Sequence, residues 1–214
     1  MTRSRQDKQR HSMVDRQIAA RGISDRRVLD AMREVPRHAF VPDHVRQLAY
    51  TDQALPIEAG QTISQPYIVA RMAALAEIGP SDRVLEIGAG SGYAAAVLGK
   101  MASHVVGIER HRELADLARA RMAALGYGNV DIVCGDGFGG QPAAAPFDAI
   151  IVSAGADTMP PALKQQLKIG GRLVIPLSHG DHQVLVRVRR TGEDSYVEEQ
   201  HEPVAFVPLV AGGT

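Results

Sequence analysis

Residues 84–93 read Val-Leu-Glu-Ile-Gly-Ala-Gly-Ser-Gly-Tyr: a short apolar strand bearing an acid, glycines at alternate positions, then an alanine-rich helix start. A buried strand that runs through a tight turn into a helix is the opening half of a βαβ unit, so this stretch commits the chain to a largely parallel sheet. Gly88, Gly90 and Gly92 let the backbone bend sharply and approach a ligand where a Cβ would collide, and a helix start offers backbone N–H groups. The dinucleotide fingerprint places its third glycine one residue later, where this chain has Tyr93. No Lys or Arg lies between Val84 and Gly99 to meet a pyrophosphate, and the strand delivers Glu86 instead. A carboxylate there disfavours phosphate and favours an ammonium or sulfonium.

Two further acids follow at matching places. Glu109 ends the apolar run His104-Val-Val-Gly-Ile, about twenty residues on, where a ribose-binding acid is expected. Asp136 sits in Cys-Gly-Asp-Gly, beyond the run Val130-Asp-Ile-Val. S-adenosylmethionine suits this set: its carboxylate on the glycine turn, its ammonium near Glu86, its ribose on Glu109, its adenine near Asp136. Any single acid at a strand end is as readily a helix cap or a solvated loop residue. The three together with the glycine turn favour a ligand.

Upstream, Met13, Val14, Ile18 and Ala19 recur at helical spacing between Gln9 and Arg21, ended by Gly22; a second helix capped by Ser24 carries Val28, Leu29 and Met32 inward. Phe40 to Gln65 is irregular, and long irregular segments in compact domains are usually functional. Pro66 opens a helix with a broad apolar face. The alternation then runs strand 83–87, helix 91–101, strand 104–108, helix 112–125, strand 130–134, strand 147–152, short helix 160–167, a turn at Gly170-Gly171 and strand 172–176. Residues 183–189 alternate as an antiparallel strand exposed on its second face, and Ala205 to Leu209 is expected as the last strand of the sheet. The expected organisation is one globular unit: residues 1–80 as a helical and substrate-loop extension, residues 81–214 as a Rossmann-like cofactor domain.

Twenty-four basic and twenty-four acidic residues leave no net field to draw nucleic acid or an anionic membrane. The basic opening Met1 to Arg10 reads as a frayed, solvated terminus. Cys134 cannot form an internal disulfide, and its apolar context suggests a buried, inert thiol. The eight histidines show no metal-ligand spacing, so no metal is expected. No apolar run approaches the roughly 18 residues that span a bilayer. A cytoplasmic monomer is the expectation.

With Tyr50-Thr-Asp, Leu55-Pro-Ile, Gly60-Gln-Thr-Ile-Ser-Gln-Pro66, the glycine turn, Gly170-Gly-Arg-Leu-Val-Ile-Pro176 and Phe206-Val-Pro-Leu209 in order, the chain resembles the protein-L-isoaspartate O-methyltransferases from about Met13 to Leu209. The Gln-Thr-Ile-Ser-Gln-Pro segment is the specific part of the match. The resemblance implies a doubly wound α/β sheet of the class I S-adenosylmethionine-dependent methyltransferase type, with N-terminal helices and an antiparallel C-terminal strand. It implies methyl transfer to the free α-carboxylate of L-isoaspartyl, and D-aspartyl, residues in damaged proteins and peptides, with repair through a succinimide. Ser64 then matches the active-site serine, Thr62, Ile63 and Val207 the substrate contacts, and Glu86, Gly88, Gly90, Ser91, Gly92, Glu109, Arg110, Asp136 and Gly137 the cofactor contacts.

Two positions depart from the family pattern: Ser153-Ala-Gly-Ala-Asp157 replaces a Thr-Ala-Ala-Ala-Pro-like loop, and Glu58 replaces a glycine. An acid turned toward a carboxylate substrate would weaken its binding. The alternatives to protein repair are a methyltransferase dedicated to one peptide, a nicotinamide oxidoreductase on the same sheet, and a cofactor-binding module without catalysis.

Overall fold

The computed structural model describes residues 4–212. At the N-terminus, Ser4 and Asp7 form a reciprocal capping box that starts helix α1, Arg5–Met13. The expected frayed arm is therefore helical from Arg5 onward, and Met1 to Arg3 lie outside the described residues. The helix continues through a wider turn at Val14–Ile18 and a tighter one at Ala19–Arg21, which Gly22 ends in the left-handed region at φ 93°. Asp25, not Ser24, caps α2, Arg26–Glu34, by accepting from the Arg27 N–H at 2.9 Å. Strands β1, Leu55–Pro56, and β2, Thr62–Ile63, pair as a small antiparallel hairpin, and α3, Pro66–Leu75, follows with its proline in the first turn.

The sheet forms from β3, Arg83–Ile87; β4, His104–Glu109; β5, Val130–Cys134; β6, Phe147–Val152; β7, Leu167–His179; β8, His182–Arg190; and β9, Tyr196–Val204. Helices α4, Tyr93–Gly99, and α5, Arg112–Leu125, make the first two crossovers, and α6, Pro161–Gln165, lies between β6 and β7. Strand order is β5-β4-β3-β6-β7-β8-β9, parallel through β7, with β8 antiparallel to both neighbours. The order reverses between β3 and β6, and the crevice at that switch point is where open α/β sheets hold ligands.

Period-two alternation splits the core between the faces. Val84, Val105, Ile151, Val174 and Leu185 join the cluster under the helices, together with Met13, Phe40, Tyr93 and Leu114. Leu85, Ile87, Val106, Ile150, Val152 and Leu173 face the other side, with Leu163 of α6. Each such side chain, fully buried, contributes roughly 1.5–3 kcal/mol.

Three expectations about the last strands need correction. Gly170-Gly171 does not turn the chain but lies inside the 13-residue β7, beside a register shift against β6 between Phe147 and Ala149. Gly170 takes φ 84°, and a Cβ at Gly171 would come within 2.8 Å of the Lys168 carbonyl oxygen, so the pair makes an irregular strand rather than a bend. In β8, Val184, Val186 and Val188 are buried as expected, but Leu185 on the opposite face is buried too, and Arg187 is held by Glu77 and Glu199. The strand closing the sheet is β9, whereas Ala205 to Leu209 runs off it. Cys134 is half-buried rather than enclosed, its Sγ 3.9 Å from the Arg110 carbonyl.

Candidate active site

The glycine turn leaves β3 at the switch point with Gly88, Gly90 and Gly92 all at positive φ. Its amides are largely committed within the protein. Gly88 and Ala89 donate to the Ile108 carbonyl at 2.8 and 3.0 Å, Gly92 donates to Ala89, and Gly90 donates to Glu109 Oε2 at 2.8 Å. The turn therefore serves close approach more than amide donation: a Cβ on Gly90 would project toward Ile57 at 3.6 Å, and one on Gly88 toward Ser153 at 3.6 Å. Gly92 faces the other way, onto α5, where a Cβ would meet Met122 Cε at 2.9 Å and Ala118 Cβ at 3.2 Å.

A cavity of about 520 Å³ opens beside the turn, lined by Gly88, Gly90, Glu109, Arg110 and Gly137, with Gly60 to Thr62 on one side and Val207 to Val210 on the other. Glu109 is buried, and its Oε1 accepts from the His111 N–H at 2.8 Å while Oε2 holds Gly90. An ionised carboxylate has about four acceptor sites, so two remain for ligand hydroxyls. Asp136 stands just outside, its oxygens accepting from Phe138 N–H and Gly212 N–H, each at 2.8 Å. Those two amides hold its carboxyl below the usual range.

A second cavity, of about 420 Å³, adjoins the first and is lined by Thr62, Ser64, Gln65, Ser153 and the stretch Pro203 to Val207. Thr62, Ser153 and Val207 line both. Ser64 is half-buried and does not cap the helix that follows: Gln65 is the N-cap of α3 and no side chain caps that end. Between the cavities a narrow space holds Ile63, Ser64, Glu86 and Ser91 together. The structure thus gathers Thr62, Ile63, Ser64, Val207, Glu86, Gly88, Gly90, Ser91, Glu109, Arg110 and Gly137 around one connected crevice, with Gly92 and Asp136 at its edges.

Glu86 is the electrostatic anomaly of the site. It is 1% exposed; Ser153 Oγ donates to its Oε1 at 3.0 Å, while Oε2 has no partner among the described residues. Burial pushes its carboxyl up to about 8 and nearby Glu109 adds to this, against opposition from Ser153 and the Ala95 amide. A buried oxygen with an unmet hydrogen-bonding capacity fits a cationic ligand group, and the cavity volume lies in the range of small-molecule sites.

Residues that no motif announced complete the walls. Gln183 of β8 accepts from Phe206 N–H at 2.7 Å and donates to the Phe206 carbonyl at 3.2 Å, so one side-chain amide replaces the ladder the expected last strand would have made. Arg121 of α5 donates to the Ser91 carbonyl at 3.2 Å and reaches Glu58 at 3.5 Å. Glu58 is thereby turned toward α5, and Asp157 accepts from Ser178 Oγ at 3.0 Å. Neither of the two unexpected acids lines the acceptor cavity.

Known proteins resemble this chain closely along most of its length. A Rhodopseudomonas palustris protein-L-isoaspartate O-methyltransferase is 58% identical over 92% of this chain and 91% of its own length. Its Methylorubrum extorquens namesake is 57% identical, covering 95% and 89%. A Plasmodium falciparum chain described as a protein-L-isoaspartate O-methyltransferase, crystallised with S-adenosyl-L-homocysteine, superposes with a TM-score of 0.82 at 25% identity, covering 94% of this chain and 98% of its own. The profile for protein-L-isoaspartate(D-aspartate) O-methyltransferases matches residues 8–214, and the chain belongs to that family.

Proposed function

We propose that this protein transfers the methyl group of S-adenosylmethionine to the free α-carboxylate of L-isoaspartyl, and D-aspartyl, residues in damaged proteins. The observation that carries the reading is the pair of adjoining cavities with Thr62, Ser153 and Val207 as their common wall. One cavity offers Glu109 and a glycine turn to an adenosyl cation, with Glu86 in the narrow space beside it, and the other offers hydroxyls and backbone to a peptide carboxylate.

On the donor side, Glu109 receives the ribose, Glu86 the ammonium, and the backbone at Gly88, Gly90, Ser91 and Gly137 the close approach. Arg110 and Asp136 flank the adenine, and Gly92 sets the turn against α5. The donor when bound supplies a methyl group on a cationic sulfur, which leaves as a neutral thioether when the carboxylate oxygen bonds to the methyl carbon. On the acceptor side, Thr62, Ser64 and the backbone beside Ile63 and Val207 hold that carboxylate in line.

An α-carboxyl group ionises near pH 3.5, so the nucleophile needs no base at neutral pH. This agrees with an acceptor cavity that no histidine lines among the described residues. Orientation is then the main task, and well-aligned groups supply several kcal/mol of a barrier. The ester formed is attacked by the neighbouring backbone nitrogen, methanol leaves, and the succinimide that closes is hydrolysed in part to normal aspartate.

The test is incorporation of labelled methyl from S-adenosylmethionine into an isoaspartyl peptide beside its normal aspartyl twin. Labelling of the isoaspartyl peptide alone is expected. Equal labelling of both, or of neither, refutes the reading.

A further inference from the structure

Ser153 stands at a junction that neither cavity explains alone. Immediately after β6, its backbone N–H donates to the Ile87 carbonyl at 2.8 Å, fixing it beside the glycine turn. Two residues on, Gly155 donates to the Val207 carbonyl at 2.8 Å and accepts from Leu209 N–H at 2.7 Å, which ties the same short segment to the acceptor wall. Ser153 lines the donor cavity, the acceptor cavity and the narrow space between them. Its hydroxyl proton is donated to Glu86 Oε1.

A serine hydroxyl has one proton to give and two lone pairs to offer. While the proton lies on Glu86, the oxygen presents only lone pairs to the acceptor side, where an anionic carboxylate must sit, and the contact is unfavourable. An ammonium group carries three protons, enough to meet the unpartnered Oε2 of Glu86 and to compete with Ser153 for Oε1, which leaves the serine hydroxyl able to rotate. We propose that Ser153 is a positioning residue that couples the two cavities: its proton is held by Glu86 while the donor cavity is empty and turns to the acceptor carboxylate once a cationic donor is bound. This rests on the carboxylate acceptor of the proposed function and adds to it a binding order, in which the donor creates part of the acceptor site.

Coupling between sites is reciprocal, so the effect is measurable as a ratio of affinities. One hydrogen bond gained by a charged acceptor corresponds to about a tenfold change in affinity. S-adenosylhomocysteine, which keeps the ammonium, serves as the donor-side probe. The experiment measures the affinity of a fluorescent isoaspartyl hexapeptide with and without saturating S-adenosylhomocysteine, for the wild-type chain, Ser153→Ala and Ser153→Thr.

The wild type is expected to bind the peptide about tenfold more tightly when S-adenosylhomocysteine is present. Ser153→Thr keeps that ratio. Ser153→Ala lowers it below about twofold while still binding S-adenosylhomocysteine, which shows that the variant is folded. An unchanged ratio in Ser153→Ala, or no coupling in a wild-type protein that methylates the peptide, overturns the proposal and leaves the function standing. A wild-type protein that neither binds nor methylates the peptide overturns both.

Discussion

Donor binding should expel a proton from Glu86, and the structure sets the size of the effect. The carboxyl is fully enclosed and titrates near 8 in place of 4.5, with burial as the leading cause. At pH 7 about nine-tenths of it is protonated in the ligand-free protein. A cationic ammonium at its unpartnered oxygen favours the ionised form, so S-adenosylhomocysteine binding at pH 7 releases about 0.9 proton, and affinity rises about tenfold from pH 6 to pH 7. The rise levels off near pH 8, where Glu86 is itself ionising in the ligand-free protein and no proton remains to be expelled. Isothermal titration calorimetry in two buffers of different ionisation enthalpy reads the proton count directly. Glu86→Gln removes the release and the acid-side slope together. His111 also lines the donor cavity. Loss of the release in His111→Asn, with Glu86→Gln unaffected, would assign the proton to the imidazole and refute the reasoning, as would a wild-type affinity flat from pH 6 to 8. The same carboxyl acts on folding. Between about pH 4.5 and 8 the folded chain holds more protons here than the unfolded chain, so stability falls as pH rises through that window, by a few kcal/mol in all.

Ser64→Ala should lower kcat toward an isoaspartyl peptide by about 10²-fold while S-adenosylhomocysteine affinity changes less than about twofold, as steady-state kinetics and calorimetry would show. Gly92→Ala places a methyl group at φ 86° against Met122 and Ala118, and should cost about 2–4 kcal/mol, read as a Tm lower by roughly 5–15 °C in a thermal melt. Gln183→Leu removes both hydrogen bonds to Phe206 and should raise the peptide KM by about tenfold with donor affinity unchanged; a parallel loss of donor affinity would show that the wall at Val207 is not what the amide holds in place.

The donor half of the site was legible because its signals are local. A strand, a glycine turn and acids at successive strand ends are sequence-adjacent features, and parallel pairing of β3 with β4 and β6 brings their C-terminal ends to one rim by register alone. The acceptor half depended on resemblance, since Thr62 to Ser64 has only a two-residue strand and no periodicity of its own. The strand expected at Ala205 to Leu209 failed for a related reason. Its apolar run is real, but Gln183 satisfies Phe206 by a side-chain amide, and a pattern of apolar residues does not reveal which partner meets a backbone group. The missed α1 start at Ser4 was readable in principle, as Ser-x-x-Asp satisfies a capping box with a shorter acid than the usual Glu.

This division of labour bears on the two departures from the family pattern. The donor residues are carried by buried strands, where a one-residue slip would turn every core side chain to the wrong face, so their geometry is stiff. The acceptor wall is assembled from segments off the sheet, held by a few hydrogen bonds: the side chains of Gln183 to Phe206 and of Arg121 to Glu58 and the glycine turn, and the backbone of Gly155 to Val207. Such a wall changes shape when one bond changes, without disturbing the donor strands. Glu58 and Asp157 both lie in those off-sheet segments, and both are turned to partners, Arg121 and Ser178, instead of facing the acceptor. Glu58 is paired with the Arg121 cation and Asp157 is turned to the Ser178 hydroxyl, so neither carboxylate lines the cavity in which the substrate carboxylate would sit.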